Sequence, residues 1–570
     1  MNAYQSINNK NIVFFDILIL TMLLIVGFSF YGFPPLLPPD EGRYASIGAE
    51  MLRTHQFIVP HIDGVIYFEK PPLVYWLIAI AIKLFGTSTW AVRAFNPILS
   101  WFGVIITYIC CIRIYDRKVA FIAACIIGAN ALYLAIGRIL TLDAAVGFFI
   151  NASILCFLTG LQPNAGKQRP YWFYAAYVLS GLAVMTKGLI GVIFPIMAIG
   201  LWVCFLKQWK QVRSFRIVSG LIIVAIIAVP WIVLTQLQHH SFFYQYVIRQ
   251  QFLRFLTKAD DRYVSLLQYC AMVIISLLPF VFLLPQSIKR IFVHKYTNLV
   301  ERQNDLFFFI WGVSIVVFFA LSSSMLFTYL VTIVVPFSVL MARYFVASQL
   351  ITGVTNRSSR VSLWVLVGFF FCCALALPIL YVLIQYRHHH FEHLPMAWLL
   401  LVIGVCVTIL AFVAVYAVVK NRFKWVFVIA MLVSITLINV IWVTVPILSQ
   451  RSILPLEQKA KLIVRQHPDM RVVSYYHYYQ SLPFYLNRRI IIVNWRDELT
   501  FGYNHQKSAK QWMISGKQFW QKWFAKVPML VFMEKSDYDS DFYKKNRIKY
   551  YLIGMTPRNV LLSNINVNAQ

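Results

Sequence analysis

Long apolar runs separated by short polar connectors fill the chain as far as residue 447. A bilayer crossing needs about 20 apolar residues, fewer where part of the segment is buried in protein. Thirteen segments fit that requirement: 12–32, 89–112, 119–136, 144–161, 171–186, 189–206, 217–237, 265–285, 306–321, 328–346, 362–385, 396–418 and 425–447. Beyond residue 447 the pattern changes. The apolar positions shorten to runs at 472–476, 490–493, 529–533, 550–553 and 560–562, separated by turns and helical patterns. Short runs of that kind read as buried strands. The pattern predicts a polytopic α-helical membrane protein of about 13 transmembrane helices over 1–447, followed by a soluble α/β domain over 448–570.

Composition agrees. The 570 residues are 60% hydrophobic and 13% charged, about half the charged fraction of a soluble domain. Disorder, a collagenous fibre and a secreted disulfide scaffold are excluded. The net charge of +30 suits cations that flank membrane spans and face anionic lipid; it does not call for nucleic acid as a partner. The cysteines all lie in apolar runs and none in the C-terminal region, where they act as small hydrophobes. No His/Cys spacing suggests a metal site. His388–His390 with His393 match no defined tetrahedral set.

Loop charges orient the spans. With the N-terminus in the cytoplasm, alternate connectors hold Arg113/Arg117/Lys118, Lys167/Arg169, Lys207/Lys210/Arg213/Arg216, Lys289/Arg290/Lys295/Arg302, Arg357/Arg360 and Lys420/Arg422/Lys424. The opposite connectors, near 137–143, 186–188, 322–327 and 386–394, hold few cations. Basic loops stay cytoplasmic, so 33–88, 238–264 and 448–570 face outward. The first apolar segment leads into Pro34–Pro39 without a small-residue cleavage site, so it reads as a span and not as a signal peptide. Within 33–88, a helical stretch from Asp40 is followed by a 12-residue apolar stretch, 73–84. That is too short to span and predicts a surface-lying or re-entrant helix.

Four clusters on the outer side carry candidate chemistry, because ionisable residues at the membrane edge are functional candidates by default. In Pro38-Pro39-Asp40-Glu41-Gly42-Arg43-Tyr44-Ala45, helix capping accounts for one acid but not for Arg43 one turn on. Tyr67-Phe68-Glu69-Lys70-Pro71-Pro72 holds a Glu-Lys pair ahead of two prolines; a surface ion pair is the plainer alternative. Arg138-Ile139-Leu140-Thr141-Leu142-Asp143 reads equally as an interfacial Arg–Asp anchor. The loop containing Phe242, Phe243, Tyr244, Tyr246, Arg249, Gln250, Gln251, Arg254 and Phe255 combines phosphate-binding arginines with aromatics that also suit an interfacial belt. Acids and cations together on one side suit chemistry on a lipid-linked phosphate. A transporter would show paired broken helices in both halves, and the second half offers no counterpart to the 73–84 stretch.

The motifs 39–45 and 67–71, Leu140-Thr141-Leu142-Asp143, and Tyr479-Gln480-Ser481-Leu482-Pro483-Phe484-Tyr485-Leu486 resemble the lipid A 4-amino-4-deoxy-L-arabinose transferases. These are related to the dolichyl-phosphate-mannose–protein mannosyltransferases. The resemblance implies a C-type glycosyltransferase fold in the inner membrane of a Gram-negative cell, with the active site and C-terminal domain in the periplasm. It implies an undecaprenyl-phosphate-linked sugar as donor and lipid A or another glycolipid as acceptor, in contact with membrane lipids. Asp40, Glu41 and Asp143 become the expected catalytic acids. Arg43, Tyr44, Glu69, Lys70, Arg254 and Tyr329 become the expected donor or phosphate contacts. No metal ligand is assigned, no further cofactor is expected, and a divalent-ion requirement is left open. Two departures stand out. Gln250 and Gln251 occupy positions where the family usually carries Glu-His, and the stretch Ser322–Tyr329 lacks the lysine often found there. The sugar is therefore open between aminoarabinose and a related amino sugar or hexose. Core oligosaccharide, O-antigen and protein hydroxyls are the alternative acceptors.

Overall fold

A computed structural model describes residues 2–253, 264–322, 324–348, 357–387, 398–449, 453–543 and 548–567. Among the described residues eight helices are long and apolar enough to cross a bilayer: Thr89–Ile114, Leu142–Leu161, Ile217–Gln238, Leu299–Ala320, Phe327–Ala347, Arg360–Val382, Trp398–Val419 and Phe423–Thr444. Helices that are apolar on every side are either buried or lipid-facing, and both kinds occur. Leu142–Leu161 and Phe327–Ala347 are enclosed by their neighbours, whereas Ile217–Gln238 and Trp398–Val419 present most of their surface outward.

The other five expected spans take different forms. Asn11–Gly27 and Ile190–Phe205 are shorter apolar helices, and Arg169–Lys187 is a helix bounded by cations. The segment expected at 119–136 is two helices, Arg117–Gly128 and Ala131–Ile136, broken at Asn130. The segment expected at 265–285 bends by 96° between Leu266–Ser276 and Phe280–Val293, at Pro279, which cannot continue a helix. The two breaks brace each other. The Asn130 side-chain amide donates to the carbonyls of Ser276 (2.9 Å) and Leu278 (3.1 Å), so backbone groups freed by the bend find partners inside the protein, as they must at membrane depth.

The segment after the first helix builds three elements. The helix Asp40–Thr54 leads to a hairpin of strands β1 (His61–Ile62) and β2 (Val65–Ile66), then to the short apolar helix Leu73–Phe85. The two helices pack closely: a Cβ on Gly48 would lie 2.5 Å from Ile78 Cγ2.

The C-terminal region folds around a six-stranded mixed sheet. Its strands are β3 (Arg471–Tyr475), β4 (Ile491–Val493), β5 (Met513–Ile514), β6 (Met529–Glu534), β7 (Tyr551–Met555) and β8 (Asn559–Ser563). The order is β5-β4-β3-β6-β8-β7, with β3, β4, β5 and β6 parallel and β7 and β8 antiparallel. Strand residues alternate between faces. Val473, Tyr475, Val531 and Leu562 pack under Phe519, Trp523 and Phe542, while Val472, Leu530, Phe532 and Leu561 turn toward Leu482, Phe484 and the helical half. The two-residue β5 is too short for a pattern to reveal.

This sheet domain is docked on the segment after the first helix through polar contacts. Ser46 Oγ donates to the Gln480 carbonyl (2.7 Å), and Ile490 N–H donates to Asp63 Oδ1 (2.9 Å). Gln506 clasps the β1–β2 hairpin, accepting from Ile66 N–H (3.1 Å) and donating to the Gly64 carbonyl (2.9 Å). A Cβ on Gly42 would stand 2.7 Å from the Ser481 backbone nitrogen, so the approach of the Gln480-Ser481-Leu482 segment depends on that glycine.

Candidate active site

The two adjacent acids at the start of the Asp40–Thr54 helix do different things. Pro39 occupies the cap position and no side chain caps the helix, so capping does not explain Asp40. Asp40 is 48% exposed, and one of its oxygens lies 3.2 Å from the Arg43 guanidinium. Glu41, expected beside it as a catalytic acid, is instead a buried brace. Its Oε1 accepts from Arg93 Nε (2.8 Å) and Leu140 N–H (2.7 Å), and its Oε2 accepts from Arg93 Nη2 (2.5 Å) and Leu37 N–H (2.6 Å). Arg93 also donates to the carbonyls of Tyr31, Pro34 and Pro35. Both Glu41 oxygens carry two donors, and the side chain is sealed from solvent.

Arg43 is the hub of the site. It contacts Asp40, the Tyr67 hydroxyl (3.4 Å) and Glu498 Oε2 (2.6 Å). Tyr67 in turn donates to Glu69 Oε2 (3.0 Å). Glu498 comes from the sheet domain, where Gln480 donates to its other oxygen at 3.4 Å. Burial pushes the Glu498 carboxyl up to about 7, against the pull of Arg43. Tyr44 is buried on the same helix, with its ring 5.8 Å from that of Tyr75.

Next to this hub lies a cavity of about 310 Å³. Its polar wall holds Lys70, Asp143, Lys187, Gln250, Gln251, Ser322, Ser324 and Tyr329, and its apolar wall is formed by Ile190, Ile193, Phe194, Phe318 and Phe319. Asp143 opens the Leu142–Leu161 helix, capped by Thr141, and is ion-paired with Lys187. The Lys187 ammonium sits 3.8 Å above the Tyr329 ring. Lys70 donates to the Glu69 carbonyl (3.1 Å), so Glu69 and Lys70 join the hub to the cavity. The interfacial Arg–Asp anchor does not form: Arg138 donates to the Gly27 carbonyl and to Asn439 Oδ1. Gln251 accepts from Leu189 N–H at 3.2 Å. The aromatics of that outer loop serve packing, with Phe242 stacked on Tyr246 (5.2 Å) and edge-on to Phe68 (5.0 Å). Arg254 lies outside the described residues.

The structure thus brings together Asp40, Arg43 and Glu69 at the hub and Lys70, Asp143 and Tyr329 at the cavity, and turns Glu41 away. It adds two residues that the sequence reading missed. Lys187 had one available signal, a cation in an outer connector otherwise poor in them. Glu498 had only the weak signal of an acid in a basic region. Among the described residues no three His, Cys, Asp or Glu side chains converge into a group able to hold a metal ion. Chemically, cations beside an apolar chamber can hold an anionic lipid headgroup, and a half-exposed carboxylate beside them can orient a polar partner.

Comparison with known proteins bears on the same regions. The profile of the dolichyl-phosphate-mannose–protein mannosyltransferases matches residues 36–243, which carry the hub except Glu498 and part of the cavity wall. The profile of the aminoarabinose transferase C-terminal domain matches residues 460–564. The undecaprenyl phosphate-α-4-amino-4-deoxy-L-arabinose arabinosyl transferase of Yersinia enterocolitica is 29% identical over 354 residues, 60% of this chain and 61% of that one. Its namesake from Enterobacter sp. strain 638 is 29% identical over 62% of this chain and 64% of its own. These alignments thus span somewhat under two thirds of the relatives' lengths. The crystal structure of ArnT from Cupriavidus metallidurans bound to undecaprenyl phosphate superposes with a TM-score of 0.83 at 22% identity, covering 96% of this chain and 97% of that one. Its apo form gives 0.79 over the same shares. A mannosyltransferase-type membrane half and an aminoarabinose-transferase C-terminal domain, joined in this order, make the chain similar to the aminoarabinose transferases in both halves, and the superposition shows that it shares their fold.

Proposed function

We propose that this protein is a glycosyltransferase that moves an amino sugar, 4-amino-4-deoxy-L-arabinose, from undecaprenyl phosphate to lipid A at the periplasmic face of a Gram-negative inner membrane. The observation that carries the reading is the cavity in which Lys70, Lys187, Asp143 and Tyr329 stand against an apolar wall. An isoprenoid phosphate has that polarity, an anionic head on a hydrocarbon chain. The names of the relatives and the basic cytoplasmic loops support donor and orientation.

In this mechanism the acceptor oxygen attacks the anomeric carbon. The bond from that carbon to the donor's phosphate oxygen breaks, and its electron pair leaves with the polyprenyl phosphate. Lys70 and Lys187 stabilise the charge that develops on the departing phosphate, where fixed cations in a dry site act most strongly. Asp143 holds Lys187 in place. Arg43, fixed by Glu498, orients Asp40 at the mouth. A phosphate acceptor is already ionised near neutral pH, so Asp40 orients sugar and acceptor without removing a proton. With a hydroxyl acceptor it serves as base.

Mass spectrometry of lipid A from cells with the protein, without it, and with Asp40→Asn tests the proposal. An aminopentose increment that requires both the protein and Asp40 is expected, with transfer in the variant reduced by about 10²-fold, the scale for losing an orienting group. An amino-hexose increment would replace the sugar and keep the reaction. Unmodified lipid A with the protein present in the membrane would overturn the acceptor, and full transfer by the variant would overturn the role of Asp40.

A further inference from the structure

The part of the sheet domain that supplies Glu498 forms a roof over the segment after the first helix, and its two sides differ. On the underside Glu498 reaches Arg43, Phe501 meets Phe68 with ring centres 5.6 Å apart, and Gly502 is pressed on the hairpin, where a Cβ would lie 2.4 Å from Val65 Cγ1. Gln506 ties the same segment to Gly64 and Ile66. The roof is therefore held firmly.

On the outer side two cations share one aromatic ring. The Arg496 guanidinium lies 4.1 Å from the centre of the Tyr503 ring and donates to the Tyr503 hydroxyl at 3.3 Å. The Lys510 ammonium lies 6.0 Å from the same ring centre. Both cations are exposed. Among the described residues neither forms an ion pair with a carboxylate. Nearby, Arg489 rides 4.0 Å over Trp512. Cation–π contact fixes where these groups stand and leaves most of their N–H donors open. The exposed Asp497, next along the chain after Arg496, forms an ion pair with neither cation among the described residues, and like charges gathered on one ring are complementary to an anion. Arg496 precedes Glu498 by two residues, a Cα separation of at most about 7 Å, so an anion bound there sits at the rim of the proposed active site.

We infer that Arg496, Lys510 and Tyr503 form an acceptor subsite on the C-terminal domain, which takes a phosphate of a phosphorylated glycolipid headgroup while a second phosphate of that headgroup is presented to Asp40. The inference rests on the proposed function and adds to it the half of the acceptor that does not react. Tyr503 holds the two cations in place, and the cations give the headgroup its register.

The full-length protein in phospholipid-free detergent tests this, with a polyprenyl-phosphate amino sugar as donor and lipid A carrying either two phosphates or one as acceptor. For Arg496→Glu combined with Lys510→Glu, the expected result is a rise of about tenfold in KM for the two-phosphate acceptor, with kcat and the donor KM unchanged. With the one-phosphate acceptor the variant and the parent protein should have equal KM values. Arg496→Lys should restore most of the affinity. Both charges are exposed, so the Tm should not move. An unchanged acceptor KM overturns the inference. So does an equal rise with both acceptors, which would mean long-range attraction without a subsite, and so does a rise in the donor KM. Unchanged acceptor KM together with weaker flotation on phosphatidylglycerol vesicles would assign the face to membrane lipid and overturn it too. Failure of the parent protein to transfer at all refutes the proposed function and is distinguishable from each of these.

Discussion

Two charged clusters are carried by the same pair of helices, Leu299–Ala320 and Phe327–Ala347, near their opposite ends. At one end Asp305 accepts from Tyr115 (2.7 Å), Tyr296 (2.8 Å), Arg290 (3.2 Å) and Arg343 (3.2 Å), and Arg343 also reaches Glu301 (2.5 Å). At the other end Phe318, Phe319, Tyr329 and Thr332 line the cavity that holds Asp143 and Lys187. Both clusters contain enclosed carboxylates and cations. The first has its carboxylate saturated by four donors, while the second borders about 310 Å³ of space. Charge inside a membrane protein is therefore not enough to mark chemistry. Charge beside open volume is the more telling sign, and Glu41 and Asp40 repeat the distinction on adjacent residues.

The largest effect should come from breaking the closed cluster. Asp305→Ala leaves the partly buried Arg290 without its acid and the buried Arg343 with Glu301 alone, and should cost about 3–5 kcal/mol of stability, read as a lower Tm, with transfer per folded molecule unchanged. A specific loss of turnover at normal Tm would make that end functional after all. The open cluster should behave in the opposite way. Lys187→Met should leave the fold intact and lower kcat by about 10²–10³, the scale for removing one stabilising donor from a reacting charge. A variant that instead unfolds at full turnover would reduce Lys187 to a brace.

The smallest effect concerns the junction between the two halves. Ser481 donates to Glu457 at 2.6 Å, and burial pushes the Glu457 carboxyl up to about 8 from an ordinary 4.5, while the Ser481 bond pulls the other way. The folded protein thus keeps a proton that the unfolded chain gives up. Stability from this group is complete below 4.5 and is lost as pH rises to about 8. Glu457→Gln should flatten that part of the Tm-against-pH curve. Parallel curves for the two proteins would remove Glu457 from the pH response.

Much of this was legible in the sequence. Runs of about 20 apolar residues and the loop charges yielded the helical half, and the short runs yielded five of the six strands of the C-terminal sheet. Breaks inside spans were less visible, because Asn130 and Pro279 interrupt hydropathy only briefly while the backbone bends fully. Asp40 and Glu41 looked alike because neighbours on a helix differ only by a rotation of about 100°. What lies in those two directions, Arg43 for one and Arg93 for the other, is set by tertiary packing. Lys187 and Glu498 were hidden for the same reason, since their partners come from distant parts of the chain.

The link between Arg43 and Glu498 has a consequence for biosynthesis. Arg43 follows the first hydrophobic helix, and Glu498 follows the last one. The hub is therefore incomplete throughout membrane insertion and is assembled only after the sheet domain has been delivered and folded. A product of premature termination would keep the whole bundle, with its cavity, but not the acid that fixes Arg43. Assembly of the hub is in this sense a check that synthesis has run past residue 498.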